Sequence, residues 1–269
     1  MLIGMMNDPR LPIEQEVGYA AEHGFDFLDL TLEPPLATAQ HARAPRARAA
    51  LSKSGLPIVG HTAYYLPLDS FYDGVRQAAL RQMEGDLRTL AELGAEKASV
   101  HLLFSNPEKM FSQETRLELW KRVLDHLVPA AEAVSLTLLI EHTTVTEPHL
   151  EILRKLLHTY PTVGFHLDVG HANLQTPRNQ TRALLDQFGA RLQHVHLSDN
   201  FGGEKDLHLP LYCGNIDWRS IAEDLHHVGY NGTVTLEVFA HRREYLLVSR
   251  DIWRQTWRSV VAPDAPSQS

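Results

Sequence analysis

Short apolar or β-branched runs alternate along the chain with stretches in which apolar residues return every three or four positions. The runs predict strands at 2–6 (LIGMM), 26–32 (DFLDLTL), 57–62 (PIVGHT), 97–103 (KASVHLL), 136–141 (LTLLIE), 163–168 (VGFHLD), 192–197 (LQHVHL) and 233–238 (TVTLEV). Between the third and fourth runs, Val75, Ala79, Met83, Leu87 and Leu90 share one helix face, as do Leu117, Trp120, Leu124 and Leu127 after the fourth. Gly24, Gly55 and Gly94 stand just before strands, where a chain leaving a helix can use positive φ. Eight β-then-α units over 269 residues, about 34 each, are the arithmetic of an α/β chain forming a single (β/α)8 TIM barrel. An open doubly wound sheet would carry a glycine-rich phosphate turn after an early strand, and none is present. The barrel is expected to span residues 1–260. The remaining 261–269, small and proline-containing, are expected to be a disordered tail.

Composition changes this picture in three ways. The start, MLIGMMNDPR, lacks the basic and apolar regions of a signal peptide, and no apolar stretch is long enough to cross a bilayer, so a cytoplasmic, non-membrane protein is expected. The single cysteine, Cys213, excludes an internal disulfide and any cysteine-rich zinc module. A formal charge of −8 weighs against a general nucleic-acid partner, although a local basic groove is compatible with it. Histidine stands out, with sixteen copies.

The chemistry of such a barrel collects at the carboxyl ends of its strands. There the sequence places His61, His101, Glu141, Asp168 with His171 just beyond, His196, the following Asp206 and His208, and Glu237. Any one of these has an ordinary explanation as a cap, a core histidine or a solvated charge. Nine at the ends of six consecutive strands do not. Carboxylates gathered on an apolar barrel repel one another and lose hydration, so a cation is expected among them. Imidazole and carboxylate without thiolate suit Zn²⁺, Mn²⁺, Co²⁺ or Fe²⁺ better than Mg²⁺ or Ca²⁺. Asp168 and His171 are read as ligands on this ground. His142 should face the helical layer, while His166 and His194, two residues deeper than the strand ends, are assigned to the barrel core.

The segments "GHTAYY", "LLIEH", "LDVGHAN", "HVHLSDN", "DLHLPLYCGNIDW" and "TLEV" resemble the xylose isomerase-like barrel superfamily, which includes sugar isomerases and epimerases and the endonuclease IV type of apurinic-site nuclease. Likeness to its ketose 3-epimerase branch implies one divalent ion held by Glu141, Asp168, His196 and Glu237. The two glutamates then act as acid and base in proton transfer through an enediolate, and His171 contacts a small carbohydrate substrate; His171, His61, His101 and His208 are expected to bind its hydroxyls or a second ion. That branch has an arginine six residues beyond the metal histidine, where this chain has Gly202. Likeness to the endonuclease branch implies up to three zinc ions, with His61, His101, His171, Asp206 and His208 as further ligands, and phosphodiester hydrolysis. Isomerisation or epimerisation of a sugar, sugar acid or polyol is the favoured expectation, with the zinc phosphodiesterase as alternative. A metal-binding barrel without catalysis and a lyase on the same scaffold stay open, and association into a homo-oligomer through the outer helices is compatible with the pattern.

Overall fold

The computed structural model describes residues 1–104 and 110–262. Its strands are β1 (Leu2–Met6), β2 (Phe27–Leu32), β3 (Ile58–Thr62), β4 (Lys97–Leu102), β5 (Thr137–His142), β6 (Gly164–Asp168), β7 (Leu192–Leu197) and β8 (Thr233–Leu236). They are hydrogen-bonded in chain order and the order closes on itself, which is a (β/α)8 TIM barrel. All eight predicted strands are present; β8 stops one residue short of Glu237. Among the described residues, no helix is long and apolar enough to cross a membrane. From residue 263 onward the expected tail lies outside the described residues.

The chain divides into two compact units, Gly4–His166 and Leu167–Ser269 with Met1–Ile3. The first holds helices α1 (Ile13–Glu22), α2 (Ala39–Ala42), α3 (Pro45–Ser54), α4 (Asp73–Glu92), α5 (Gln113–Glu132) and α6 (Glu147–Thr159). Strand β2 is buried at every position, because a parallel strand is covered by core on one face and by helices on the other. Helix α4 buries Ala79, Met83, Leu87 and Leu90 as the periodicity predicts, whereas Val75, in its first turn, is exposed. Helix α5 buries Leu117, Trp120, Leu124 and Leu127, and Trp120 donates from Nε1 to the Leu103 carbonyl at 3.2 Å. Gly24, Gly55 and Gly94 take φ of 68°, 65° and 98°, the left-handed turn that ends each helix before its strand.

The second unit holds α7 (Thr181–Phe188), α8 (Trp218–His227) and α9 (Glu244–Val261). Asp217 caps α8 by accepting from the Ser220 amide, and Trp218 and Trp253 bury their rings edge to face, 6.1 Å apart, between α8 and α9. His194, on β7, is satisfied on both ring nitrogens, by the hydroxyls of Thr233 at 2.7 Å and Thr235 at 3.1 Å. Its ring is fully buried and stands 5.2 Å from that of His196.

Candidate active site

In the Gly4–His166 unit, strand register brings the polar residues together. His61 pairs with Thr31 on one side and Ser99 on the other, and Glu141 pairs with His101 and His166. Three imidazoles therefore converge on one fully buried carboxylate oxygen. His61 Nε2 lies 3.2 Å from Glu141 Oε2, His101 Nε2 3.3 Å and His166 Nδ1 3.3 Å. His166 Nδ1 is also 2.8 Å from Ser99 Oγ, and His61 Nδ1 is 3.4 Å from the Thr31 hydroxyl, which lies 3.1 Å from Glu33 Oε1. Such outer contacts fix the ring planes and leave one nitrogen of His61 directed at Glu141. His166, assigned to the core from its depth on β6, is fully buried and is also a neighbour of Glu141. The strands of a barrel are staggered, so residues at one level are found by register and not by counting back from each strand end.

In the Leu167–Ser269 unit, β6 ends in Asp168 and the Val169 amide donates to the His196 carbonyl at 3.1 Å, tying the turn to β7. The His171 amide donates to Asp168 Oδ1 at 2.6 Å. His196 Nδ1 stands 3.2 Å from Glu237 Oε2 and 3.8 Å from Asp168 Oδ2, and all three residues are buried. His208 reaches Glu237 Oε2 at 3.5 Å through Nδ1 and Asp206 Oδ2 at 2.9 Å through Nε2; His171 Nε2 is 3.1 Å from the same Asp206 oxygen. Burial works against the charged form of His208, but Glu237 and Asp206 outweigh it and hold the imidazolium up at about 9. Burial also works against the Asp206 carboxylate, and its hydrogen bonds to His171 and His208 overcome that, holding it well below the usual range. His208 takes its place with a φ of 44°, a left-handed backbone that a non-glycine residue adopts at a cost and that the Glu237 and Asp206 contacts offset.

Asp168, His196 and Glu237 present one ligand atom each within 4.8 Å of one another, and so do His61, His101 and Glu141 in the other unit. Both sets fit a divalent ion by the chemistry of their donors. They combine imidazole nitrogen with carboxylate oxygen, lack sulfur, and are removed from water. Two donors about 3.2 Å apart are spaced as neighbouring ligands of one ion with bonds of about 2.1 Å. The only cysteine, Cys213, is exposed and outside both sets.

Gly170 explains why Asp168 and His171 sit three residues apart. A Cβ on Gly170 would collide with the Ser198 hydroxyl and lie 3.1 Å from Asp168 Oδ1 and 3.3 Å from the Ser198 carbonyl. Only a glycine lets the turn pass this closely under β7. Gly170→Ala is expected to cost about 1–3 kcal/mol from overpacking, read as a lower urea midpoint with unchanged slope. A midpoint equal to the natural protein's would show that the contact is not limiting.

The motif residues Asp199, Asn200, Asn173 and Asn215 hold one another and the turn at Gly170 in a largely buried hydrogen-bond network, which the sequence did not reveal. Asn173 donates from Nδ2 to Asn200 Oδ1 at 2.9 Å and Asn215 Oδ1 at 2.8 Å, and Asn200 donates to the Gly170 carbonyl at 3.0 Å. Trp218 joins them by donating to Asp199 Oδ2 at 2.9 Å. Alternation in "SDN" and "GNIDW" shows no periodicity that would identify a buried amide network, since its partners are far apart in sequence.

The chain matches the family described as Xylose isomerase-like TIM barrel over residues 17–259. It is 26% identical over 261 residues to a ketose 3-epimerase of Arthrobacter globiformis, covering 91% of this chain and 84% of that protein. It is also 33% identical over 34% of its length to an uncharacterized protein of Methanocaldococcus jannaschii, and 25% identical over 62% to one of Sinorhizobium fredii. The chain spans 30% and 55% of those two proteins. Among solved structures, a D-tagatose 3-epimerase-like protein superposes with a TM-score of 0.80 at 21% identity, over 98% of this chain and all of that one, a likeness of fold. With the family match extending over most of the barrel, the chain belongs to the xylose isomerase-like TIM barrel family.

Proposed function

We propose that the protein is a divalent-metal-dependent isomerase or epimerase of a small sugar, sugar acid or related polyol. The observation that carries this reading is the buried, sulfur-free set of Asp168, His196 and Glu237, with the Glu237 carboxylate 3.2 Å from His196. The likeness to a ketose 3-epimerase supports the substrate class.

Asp168, His196 and Glu237 would hold one ion, Mn²⁺, Zn²⁺ or Co²⁺, and the family resemblance adds Glu141 as the fourth ligand. Bound there, the ion supplies positive charge that polarises the substrate carbonyl and lowers the cost of removing the neighbouring proton. Glu237 takes that proton on its carboxylate, and Glu141 carries the complementary acid or base role. His171, His208, His61 and His101 donate to or accept from substrate hydroxyls. Burial of both glutamates excludes bulk water from the proton's path. Gly202 has a φ of 73°, so the arginine of the ketose 3-epimerase branch would be strained here, which supports a substrate pose different from that branch.

Metal analysis of protein purified without chelator or added metal tests the reading. About one ion per chain, together with turnover on a panel of ketoses and sugar acids, is the expected result. The His61–His101–Glu141 set supports a second reading, a zinc phosphodiesterase of the endonuclease IV type. Two or three zinc ions, with nicking of an abasic duplex that is lost on Glu141→Gln, would replace the first reading with the second.

A further inference from the structure

Within the Gly4–His166 unit, a cavity of about 570 Å³ lies between the loops that follow β2 and β3 and the middle of α4, and none of the nine candidate ligands lines it. Its volume is in the range of small-molecule sites. Two adjacent residues of α4 make it unusual. Asp86 is 3% exposed, accepts one hydrogen bond from Gln82 Nε2 at 3.0 Å, and has no ion-pair partner among the described residues. Burial pushes its carboxyl up to about 6, against the pull of Gln82 and Arg43. Gly85 precedes it inside a twenty-residue helix, where glycine costs about 1 kcal/mol relative to alanine. Packing does not require that glycine, since a Cβ there would meet no atom within 4 Å. A buried carboxylate in no direct ion pair among the described residues and a helix-weakening glycine thus stand side by side, and what they share is the open space they face.

We infer that this cavity is a binding site for a small, neutral, hydroxyl-rich molecule of about monosaccharide size. Asp86 accepts hydrogen bonds from its hydroxyls, and Gly85 keeps the space open. The surrounding side chains select neutrality. Arg43 is committed to Glu92 at 2.9 Å, and Arg81 adds a second guanidinium to the lining, so an ammonium ligand would meet like charge. An anion would meet Asp86. Gln82 and Gln40 offer both donor and acceptor atoms, and Tyr65 offers a ring face to the C–H groups of a polyol. The inference does not depend on the reaction proposed above, because its residues are distinct from those assigned there.

Amide spectra of nitrogen-labelled protein, titrated with myo-inositol and D-glucose and, separately, with methylammonium chloride and sodium acetate, provide the test. Saturable shifts at the Gly85, Asp86 and Tyr65 amides are expected with a neutral probe. Gly85→Leu, which fills the cavity and improves the helix, should weaken binding at least about tenfold. Asp86→Asn, which keeps the shape and removes the buried charge, should weaken it about fivefold, and both variants should melt no lower than the natural protein. The inference is overturned by absence of shifts at these amides up to about 100 mM of both neutral probes, by undiminished binding in Gly85→Leu, or by tighter binding of methylammonium or acetate than of either polyol.

Discussion

Glu237→Gln is expected to lower turnover by about 10²- to 10⁴-fold while leaving the fold intact. Glutamine has the same shape, and Glu237 lies just beyond the end of β8 with its amide fixed to the Leu197 carbonyl at 3.1 Å, so the backbone has no reason to move. What changes is charge. The Glu237 carboxylate faces His196 at 3.2 Å and His208 at 3.5 Å, and an amide in its place can neither take a proton nor balance an ion as well. Activity at saturating metal, paired with thermal melting, separates the two roles. A melting temperature near that of the natural protein with turnover reduced at every metal concentration points to lost proton transfer, whereas recovery at high metal points to lost metal affinity alone. Substantial activity under all conditions would remove Glu237 from the chemistry.

The strand pattern was legible because each parallel strand is buried on both faces and so reads as an unbroken apolar run, as in FLDLTL and VGFHLD. The nine candidate ligands were legible for a different reason, because charged or imidazole side chains at the ends of six such runs are more than caps and core histidines account for. The structure brings His61, His101 and Glu141 together in one unit and Asp168, His171, His196, Asp206, His208 and Glu237 in the other. Stagger was not legible. His166 is level with Glu141 only through a register that no count within β6 supplies. Val75 was misread because its periodicity is perfect while its position, in the first turn of α4, lies beyond the helix's contact with the barrel. The cavity at Gly85 and Asp86 was also hidden, since a glycine and an aspartate within a helix look like ordinary surface residues until the space beside them is seen.

The largest stability effect is expected from a residue that touches no candidate ligand directly. Asp199 is fully buried and accepts three hydrogen bonds, from Trp218 Nε1 at 2.9 Å and from the amides of Asn200 at 2.9 Å and Ile216 at 3.3 Å. Its own amide and carbonyl bond to Leu209 at 2.9 and 2.8 Å, which closes the loop that carries Asp206 and His208. No cation among the described residues neutralises it, so the carboxylate is held by N–H donors alone. Asp199→Ala removes the acceptor and leaves the Trp218 and Ile216 donors buried, at about 1–3 kcal/mol each. A loss on the order of 3–5 kcal/mol follows, and for a chain of this size it lowers the melting temperature by roughly 6–15 °C. Asp199→Asn, which keeps one oxygen in place, should lose less. The same release should loosen the 200–208 loop, so metal retained after dialysis should fall in step with stability even though Asp168, His196 and Glu237 are untouched. If Asp199→Ala melts within a degree or so of the natural protein, the loop is held by its Leu209 backbone pair alone, and Asp199 would have to be reconsidered as a residue kept for the chemistry.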